Sequence, residues 1–420
     1  MVARVKGTQD FIDLSLHTYV LDRVAAHFAS YNIMPIETPI LEHTSLFVRS
    51  LGQHTDVVSK EMFVIAGTSE SEDSLCLRPE GTAATVRAFI DNNIVRTPWN
   101  VWSYGPMFRY ERPQKGRYRQ FHQINVEMIG VRSIEYDVQC ITMLDRFFSQ
   151  VLGLDTYALT LNFLGCHEDR IAYKEILGQY LDTIYDQLCT TCHARRHANI
   201  LRIFDCKNPQ CQALYEQAPH IIDHICPACQ VEWTQLKNDL ELLSVSFTVR
   251  PTLVRGLDYY NKTVFEFVSS NLGAQNAFCG GGRYDQLVAQ LGGKNDEACM
   301  GAAIGMERLL LLLEPHKERL LSGPVPSLSI IIPVTPEQYT LALLIADQLR
   351  SYHVPVQVLF EDASLKSLMR KADKFNPHFV IIIGEQEQQE RQAQLKNMRT
   401  GTQTTMSHME LIAFLTQIKS

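Results

Sequence analysis

Apolar residues recur at helical spacing near the start of the chain. Leu14, Leu21, Val24, Ala25 and Phe28 fall on one stripe and predict an amphipathic helix. Met34-Pro35-Ile36-Glu37-Thr38-Pro39 then predicts an extended segment, because each proline biases its predecessor towards β. Further on the period changes to two. Phe108–Arg112 and Gln120–Glu127 predict two strands joined by a loop from Pro113 to Arg119. Side chains alternate across a strand, so Phe121, Gln123, Asn125 and Glu127 share one face and Ile124, Val126 and Met128 the other. The apolar face is expected to pack, and the polar face to meet water or a ligand. The second half of Leu253–Phe267 also alternates as a strand.

Two regions break from this pattern. Roughly between 165 and 245 the chain turns helical and rich in cysteine, and reads as an insertion. Ser322-Gly323-Pro324-Val325-Pro326 then signals a linker. Beyond it, strands at 328–334, 356–360 and 379–383 alternate with helices at 336–352 and 364–375, which predicts βαβ units and a largely parallel sheet. The expected organisation is residues 1–165 with 245–322 as one domain, 166–244 as a helical insertion and 327–420 as a last domain. A chain of 420 residues is long enough for this.

Composition narrows the class. Hydrophobic residues at 45% and charged residues at 20% are those of a folded globular protein and exclude a disordered or fibrous chain. No apolar run reaches the roughly 18 residues that a membrane span needs, and Met1–Gly7 has no signal-peptide stretch, so a cytoplasmic protein is expected. A net charge of -7 argues against a non-specific nucleic-acid binder but leaves room for a local cationic patch.

Such a patch is present. Arg109, Arg112, Lys115, Arg117 and Arg119 face a single Glu111 around Gly116, and arginine forks suit phosphate oxygens. Leu77-Arg78-Pro79-Glu80-Gly81-Thr82 reads as a turn before a helix, with Thr82 as N-cap. Glu80 is there either a simple turn residue or a carboxylate holding an ammonium group. Asp258-Tyr259-Tyr260 gathers a carboxylate and two phenols. Cys279-Gly280-Gly281-Gly282-Arg283-Tyr284-Asp285 reads as a glycine-rich loop that lets a ligand approach backbone. Gly301–Gly305 predicts a strand of small residues leading into a leucine-rich helix. Arg308 in its first turn opposes the helix dipole, which a salt bridge would explain or which suggests an anionic partner.

Taken in order, these segments resemble the class II aminoacyl-tRNA synthetases. Arg109–Glu127 is similar to motif 2, Gly305–Arg308 to motif 3, and the helix ending at Pro39 to motif 1, the dimerisation element. Leu253–Tyr260 and Gly281–Asp285 resemble segments peculiar to the histidyl branch, and Lys6–Asp10 and Arg78–Thr82 also match. The resemblance implies an α+β catalytic domain with an antiparallel sheet, a helical insertion clamping the acceptor stem, and a C-terminal α/β anticodon-binding domain with a mixed sheet. It implies a ligase that activates L-histidine with ATP and Mg²⁺ and transfers it to the 3′ end of tRNA(His), as a homodimer. Arg109 and Arg255 are then expected as catalytic cations on the α-phosphate, with Arg117 and Arg308 on the outer phosphates. Glu80, Gly81, Thr82 and Gln123 are expected around the amino group of histidine. Glu127 and Tyr260 are expected to read its imidazole, with Tyr259 and Tyr284 lining the pocket. Gln114, Lys115 and Arg119 are expected at the tRNA acceptor end. No side-chain nucleophile is expected. The competing reading is a catalytically silent relative that senses histidine or uncharged tRNA.

The eleven cysteines, an odd number without a secretion signal, favour thiols or metal ligation over disulfides. Cys189-x-x-Cys192 and Cys226-x-x-Cys229 pair like a zinc ribbon with a long spacer, and Cys206 and Cys211 add possible ligands. The alternative is a set of free, partly buried thiols. His193 and His197 are expected to be solvated residues facing tRNA.

Overall fold

The computed structural model describes residues 2–53, 55–65, 74–273, 276–294, 297–322 and 328–417. The expected linker lies, from Gly323 onward, outside the described residues. The chain divides into two compact units, Met1–Leu321 and Ser322–Ser420.

The strands of the first unit are β1 (Met34–Pro35), β2 (Leu41–His43), β3 (Phe63–Ile65), β4 (Leu75–Leu77), β5 (Trp99–Phe108), β6 (Gln120–Ile129), β7 (Ala158–Phe163), β8 (Phe247–Val249), β9 (Asn261–Val268), β10 (Ala277–Arg283) and β11 (Cys299–Gly305). Eight of them form one sheet in the order β1-β5-β6-β11-β10-β9-β7-β8, and β2-β4-β3 form a small second sheet. The central pairings from β5 to β7 are all antiparallel, and only the edge strands β1 and β8 pair in parallel. This is an α+β layer, not a Rossmann domain built of parallel crossovers.

The alternation read in β6 positions everything else. Ile124, Val126 and Met128 enter the main core, where they meet Val20, Val24 and Phe28 of the helix Ser15–Ser30. Burying each such side chain stabilises the fold by about 1.5–3 kcal/mol. The helical stripe differs from the expected one: Leu14 precedes the helix and is exposed, Ala25 is exposed, and the buried series is Leu16, Val20, Val24 and Phe28 at steps of four. Strand β5 also ends earlier than expected. The Arg109 amide still donates to Arg119 O (2.9 Å), but the Tyr110 amide turns away to Glu61 O (2.6 Å). Arg109–Arg112 therefore belong to the loop.

The segment after β7 is helical, as expected, with helices His167–Thr183, Thr190–Ala198, Pro209–Tyr215 and Pro227–Leu242. It packs into the first unit. Trp233, Leu236 and Leu240 join the main core, and Tyr173, Leu177 and Leu181 share a second core with Tyr259, Tyr260 and Tyr284.

The second unit contains β12 (Ser329–Pro333), β13 (Val356–Val358), β14 (Phe379–Ile383), β15 (Gln392–Asn397) and β16 (Gln403–Ser407), in the order β13-β12-β14-β15-β16. The three strands read from sequence pair in parallel with apolar cores on both faces, while β15 and β16 add antiparallel pairings that make the sheet mixed.

Candidate active site

The polar face of β6 is the floor of the site. Asn125 and Glu127 are almost wholly buried. Glu127 accepts a hydrogen bond from the Thr82 hydroxyl on Oε1 (2.6 Å) and another from the Tyr284 phenol on Oε2. Burial pushes its carboxyl up to about 8, against the pull of these two donors. The room for it comes from the opposite strand, where register pairs Glu127 with Gly301 on β11 and a Cβ would overlap Glu127 Oε2.

Tyr259 lies 4.6 Å from the Tyr260 ring and 5.6 Å from Tyr284, so three phenols wall one side. All three are buried. Burial pushes the Tyr260 phenol up to about 12, against the nearby Arg255 charge. It therefore stays a neutral donor and acceptor at ordinary pH.

The helix Thr82–Asp91 forms another wall, and its cap corrects the sequence reading. Gly81 is the N-cap and Thr82 the first helical residue. The capping group is Glu80, whose Oε2 and Oε1 accept the amides of Thr82 (2.7 Å) and Ala83 (2.8 Å). A longer side chain one turn position earlier reaches the same donors and frees the Thr82 hydroxyl for Glu127. Glu80 is buried, and burial raises its pKa despite these amides. Gly81 lies so near Asn125 that a Cβ would sit 2.7 Å from its Cγ. Gln123, on the same strand face as Asn125, has a buried Oε1 without a hydrogen-bond partner among the described residues.

The cations converge from separate elements. Arg109 donates through Nε to Pro79 O (2.9 Å) and lies 5.4 Å from the Phe121 ring. Arg255 pairs with Glu266 on β9. Burial opposes its charge, but Glu266 outweighs that and keeps its pKa high. The expected glycine-rich loop is in fact strand β10, and its glycines make room for side chains: a Cβ on Gly280 would sit 2.6 Å from the Arg255 guanidinium. Arg117 pairs with the buried Glu111. Arg308 donates to Gly116 O (3.1 Å) and Ala277 O (2.6 Å), and burial together with the Arg117 charge lowers its pKa. Two neighbouring arginines, Arg117 held by a carboxylate and Arg308 by carbonyls, form a site suited to a polyanion.

In the loop, Gln114 and Arg117 exchange backbone hydrogen bonds around exposed Lys115 and Gly116. Arg119 is half-buried. It lies 3.7 Å from the Tyr110 ring and donates to Glu111 O (3.3 Å) and Lys6 O (3.4 Å), tying the loop to the N-terminal segment. Arg283 is fully buried and pairs with Asp137, and also donates to Val131 O (2.6 Å) and Ser133 O (2.9 Å).

Several residues, and the role of Glu111, escaped the sequence reading. Glu266 and Glu111 orient arginines, and Glu307 accepts the His122 amide (2.9 Å) and ring Nδ1 (2.9 Å). A cavity of about 350 Å³ opens beside Arg255 and Tyr260, walled by Arg170, Lys174, Arg196 and Arg202 from the insertion. A spacing of four between Arg170 and Lys174 was the available signal, since it places both on one face of a helix.

An antiparallel sheet with a buried carboxylate on its polar face, and arginines supplied by three separate segments, defines a class II aminoacyl-tRNA synthetase. The comparisons sharpen this. A family model described as histidyl-tRNA synthetase matches residues 18–309, and one described as anticodon binding domain matches residues 329–418. A histidine--tRNA ligase of Clostridioides difficile is 39% identical over 416 residues, covering 98% of each chain. One from Syntrophotalea carbinolica is 40% identical over 407 residues, covering 96% of this chain and 95% of the other. The crystal structure of apo S. aureus histidyl-tRNA synthetase superposes with a TM-score of 0.82 at 30% identity, over 99% of this chain and all of that one. The chain belongs to the histidyl-tRNA synthetase family.

Proposed function

We infer that this chain is a histidine--tRNA ligase. It condenses L-histidine with ATP to histidyl-adenylate and pyrophosphate, then transfers the histidyl group to the terminal adenosine of tRNA(His). The observation that carries this reading is Glu127, buried between Thr82 and Tyr284 beneath the arginines. A buried carboxyl group among phenols is matched by a ligand with a ring N–H donor and a ring nitrogen acceptor, and a neutral imidazole has both. Amino acids without such a ring leave these groups unpaired, which is how a polar pocket discriminates. The full-length relatives named as ligases leave the silent-sensor reading without support.

Glu127 and Tyr260 read the two imidazole nitrogens, and Tyr259 and Tyr284 enclose the ring. Glu80, Gly81 and Thr82 at the helix start and Gln123 beside them meet the α-amino group. A carboxylate offers about four acceptor sites, so Glu80 can cap the helix and still receive an ammonium. Arg109 and Arg255 hold the α-phosphate while the histidine carboxylate attacks it, and they stabilise the charge that builds up there. Glu266 keeps the Arg255 fork aimed. Arg117 and Arg308 hold the outer phosphates.

Mg²⁺ would sit near the outer phosphates, held by carboxylates. The Tyr110 amide donates to Glu61 O (2.6 Å), which brings Glu61 beside Glu111, and the Glu111 charge adds to burial in raising the Glu61 pKa. These two would hold the ion, which when bound supplies positive charge to the pyrophosphate leaving group. Gln114, Lys115 and Arg119 meet the tRNA acceptor end, and residues 327–420 meet the anticodon. The chain works as a cytoplasmic homodimer. No described helix is long and apolar enough to cross a membrane. ATP-dependent attachment of labelled histidine to transcribed tRNA(His) tests the reading. Charging is expected with histidine, and its absence alongside intact fold would refute a ligase.

A further inference from the structure

The sequence paired Cys189-x-x-Cys192 with Cys226-x-x-Cys229. The structure separates them. Among the described residues, two groups of ligating side chains converge: Cys189, Cys192, Cys206 and Cys211 in one, and Cys166, Asp169, Cys226 and Cys229 in the other. Within each group the ligating atoms lie within 4.8 Å of one another. Neither His193 nor His197 belongs to either group.

The two groups differ in chemistry. In the second, Asp169 is already committed. Its Oδ2 accepts the Cys166 amide (3.1 Å) and its Oδ1 the Cys226 amide (2.9 Å), so it ties two helix starts together as a capping group. The first group is all thiol. Cys189 is the N-cap and Cys192 the third residue of the helix Thr190–Ala198, so both sulfurs leave the same helix end. Cys206 closes the short helix Ile200–Asp205, and Cys211 is the third residue of the helix Pro209–Tyr215. Zinc–sulfur bonds of about 2.3 Å in a tetrahedron place sulfurs about 3.8 Å apart. Cys189 Sγ and Cys206 Sγ are 3.7 Å apart.

The surroundings are those that thiolates take. The Cys189 amide donates to Cys211 Sγ (3.3 Å) and the Asn208 amide to Cys206 Sγ (3.4 Å). Such N–H donors to sulfur form the outer shell that orients metal-bound cysteines. Cys192, Cys206 and Cys211 are buried, so a bound ion would be closed off from water, as structural zinc is.

We propose that Cys189, Cys192, Cys206 and Cys211 form a structural Zn²⁺ site in the helical insertion. Binding exchanges four thiol protons for one zinc ion, leaving a Zn(Cys)₄ centre with no open position and no catalytic role. Its purpose is to brace the segment between Cys189 and Cys211. That segment holds Arg202 on Asp56 (3.2 Å) and Asn199 on Asp258 (2.6 Å), and it forms one wall of the cationic cavity beside Arg255.

The test uses the full chain, produced with added zinc and purified without chelator. Elemental analysis is expected to find one zinc ion per chain. Cys192→Ser and Cys206→Ser should lose it, whereas Cys166→Ser and Cys226→Ser should keep it. Cobalt(II) added to the stripped protein should give the thiolate charge-transfer band and strong visible bands of a tetrahedral sulfur site. If the serine variants fail to fold, alkylation of wild type replaces them. Removing zinc should then expose these four cysteines to alkylation and leave Cys226 and Cys229 unchanged. A full chain free of zinc overturns the proposal. So does zinc retained by Cys206→Ser, or an alkylation pattern that ignores zinc.

Discussion

Gly301 on β11 lies directly opposite Glu127 on β6, so close that a Cβ on Gly301 would overlap Glu127 Oε2. The space for the buried carboxylate is thus set by an absent side chain on the neighbouring strand. Gly301→Ala must push Glu127 out of line with Thr82 and Tyr284. Overpacking of this kind destabilises by about 1–3 kcal/mol. The expected outcome is a large rise in KM for histidine with a smaller change in KM for ATP, checked by steady-state pyrophosphate exchange. A lowered midpoint in urea should accompany it.

Glu127 also gives the protein a pH signature. Its folded pKa, about 8 through burial, lies above the ordinary glutamate value of 4.5, so the native state holds a proton that the unfolded chain releases. Stability then falls as pH rises from about 4.5 to 8, because the unfolded state binds fewer protons across that window. Glu127→Gln cannot ionise. Urea unfolding at several pH values should show the wild type losing stability relative to this variant across the window. Parallel curves would contradict the burial of an ionisable Glu127.

Arg255 is aimed by Glu266 and given room by Gly280. Arg255→Ala should therefore lower the rate of adenylate formation by about 10²–10³-fold, the usual loss for one electrostatic donor. Histidine affinity, read by calorimetry, should change little. Equal loss of both would move Arg255 from the phosphate to the amino acid.

Arg283 behaves differently although it too sits in a family-specific segment, Gly281–Asp285. It is fully buried with Asp137 and satisfies two backbone carbonyls. Arg283→Ala leaves a buried carboxylate alone, which destabilises by about 3–5 kcal/mol. Thermal unfolding should show this, and any activity loss should follow the unfolded fraction.

The sequence carried some of this and hid the rest for physical reasons. Strict alternation in Gln120–Ile129 exposed both the packing face and the ligand face, because one strand suffices to define them. The parallel core of the second unit was equally visible in its apolar runs. The hairpin Gln392–Ser407 was not, since its strands are mostly polar. Thr82 looked like a cap because hydroxyls usually cap helices, but Glu80 reached the same amides. The glycines at 280–282 looked like a loop because composition alone does not reveal that Arg255 lies over one of them. Glu266 was hidden because its partner Arg255 lies in the loop before β9 and meets it only when that loop folds back, and the cysteine pairing because a spacing does not say which helix ends meet.

The central claim is that the pocket floored by Glu127 selects histidine for activation. Histidine-dependent exchange of labelled pyrophosphate into ATP, without tRNA and with the other nineteen amino acids as controls, tests it most directly. Exchange with histidine alone is the predicted result. Exchange with another amino acid, or none while histidine still binds by calorimetry, would contradict it.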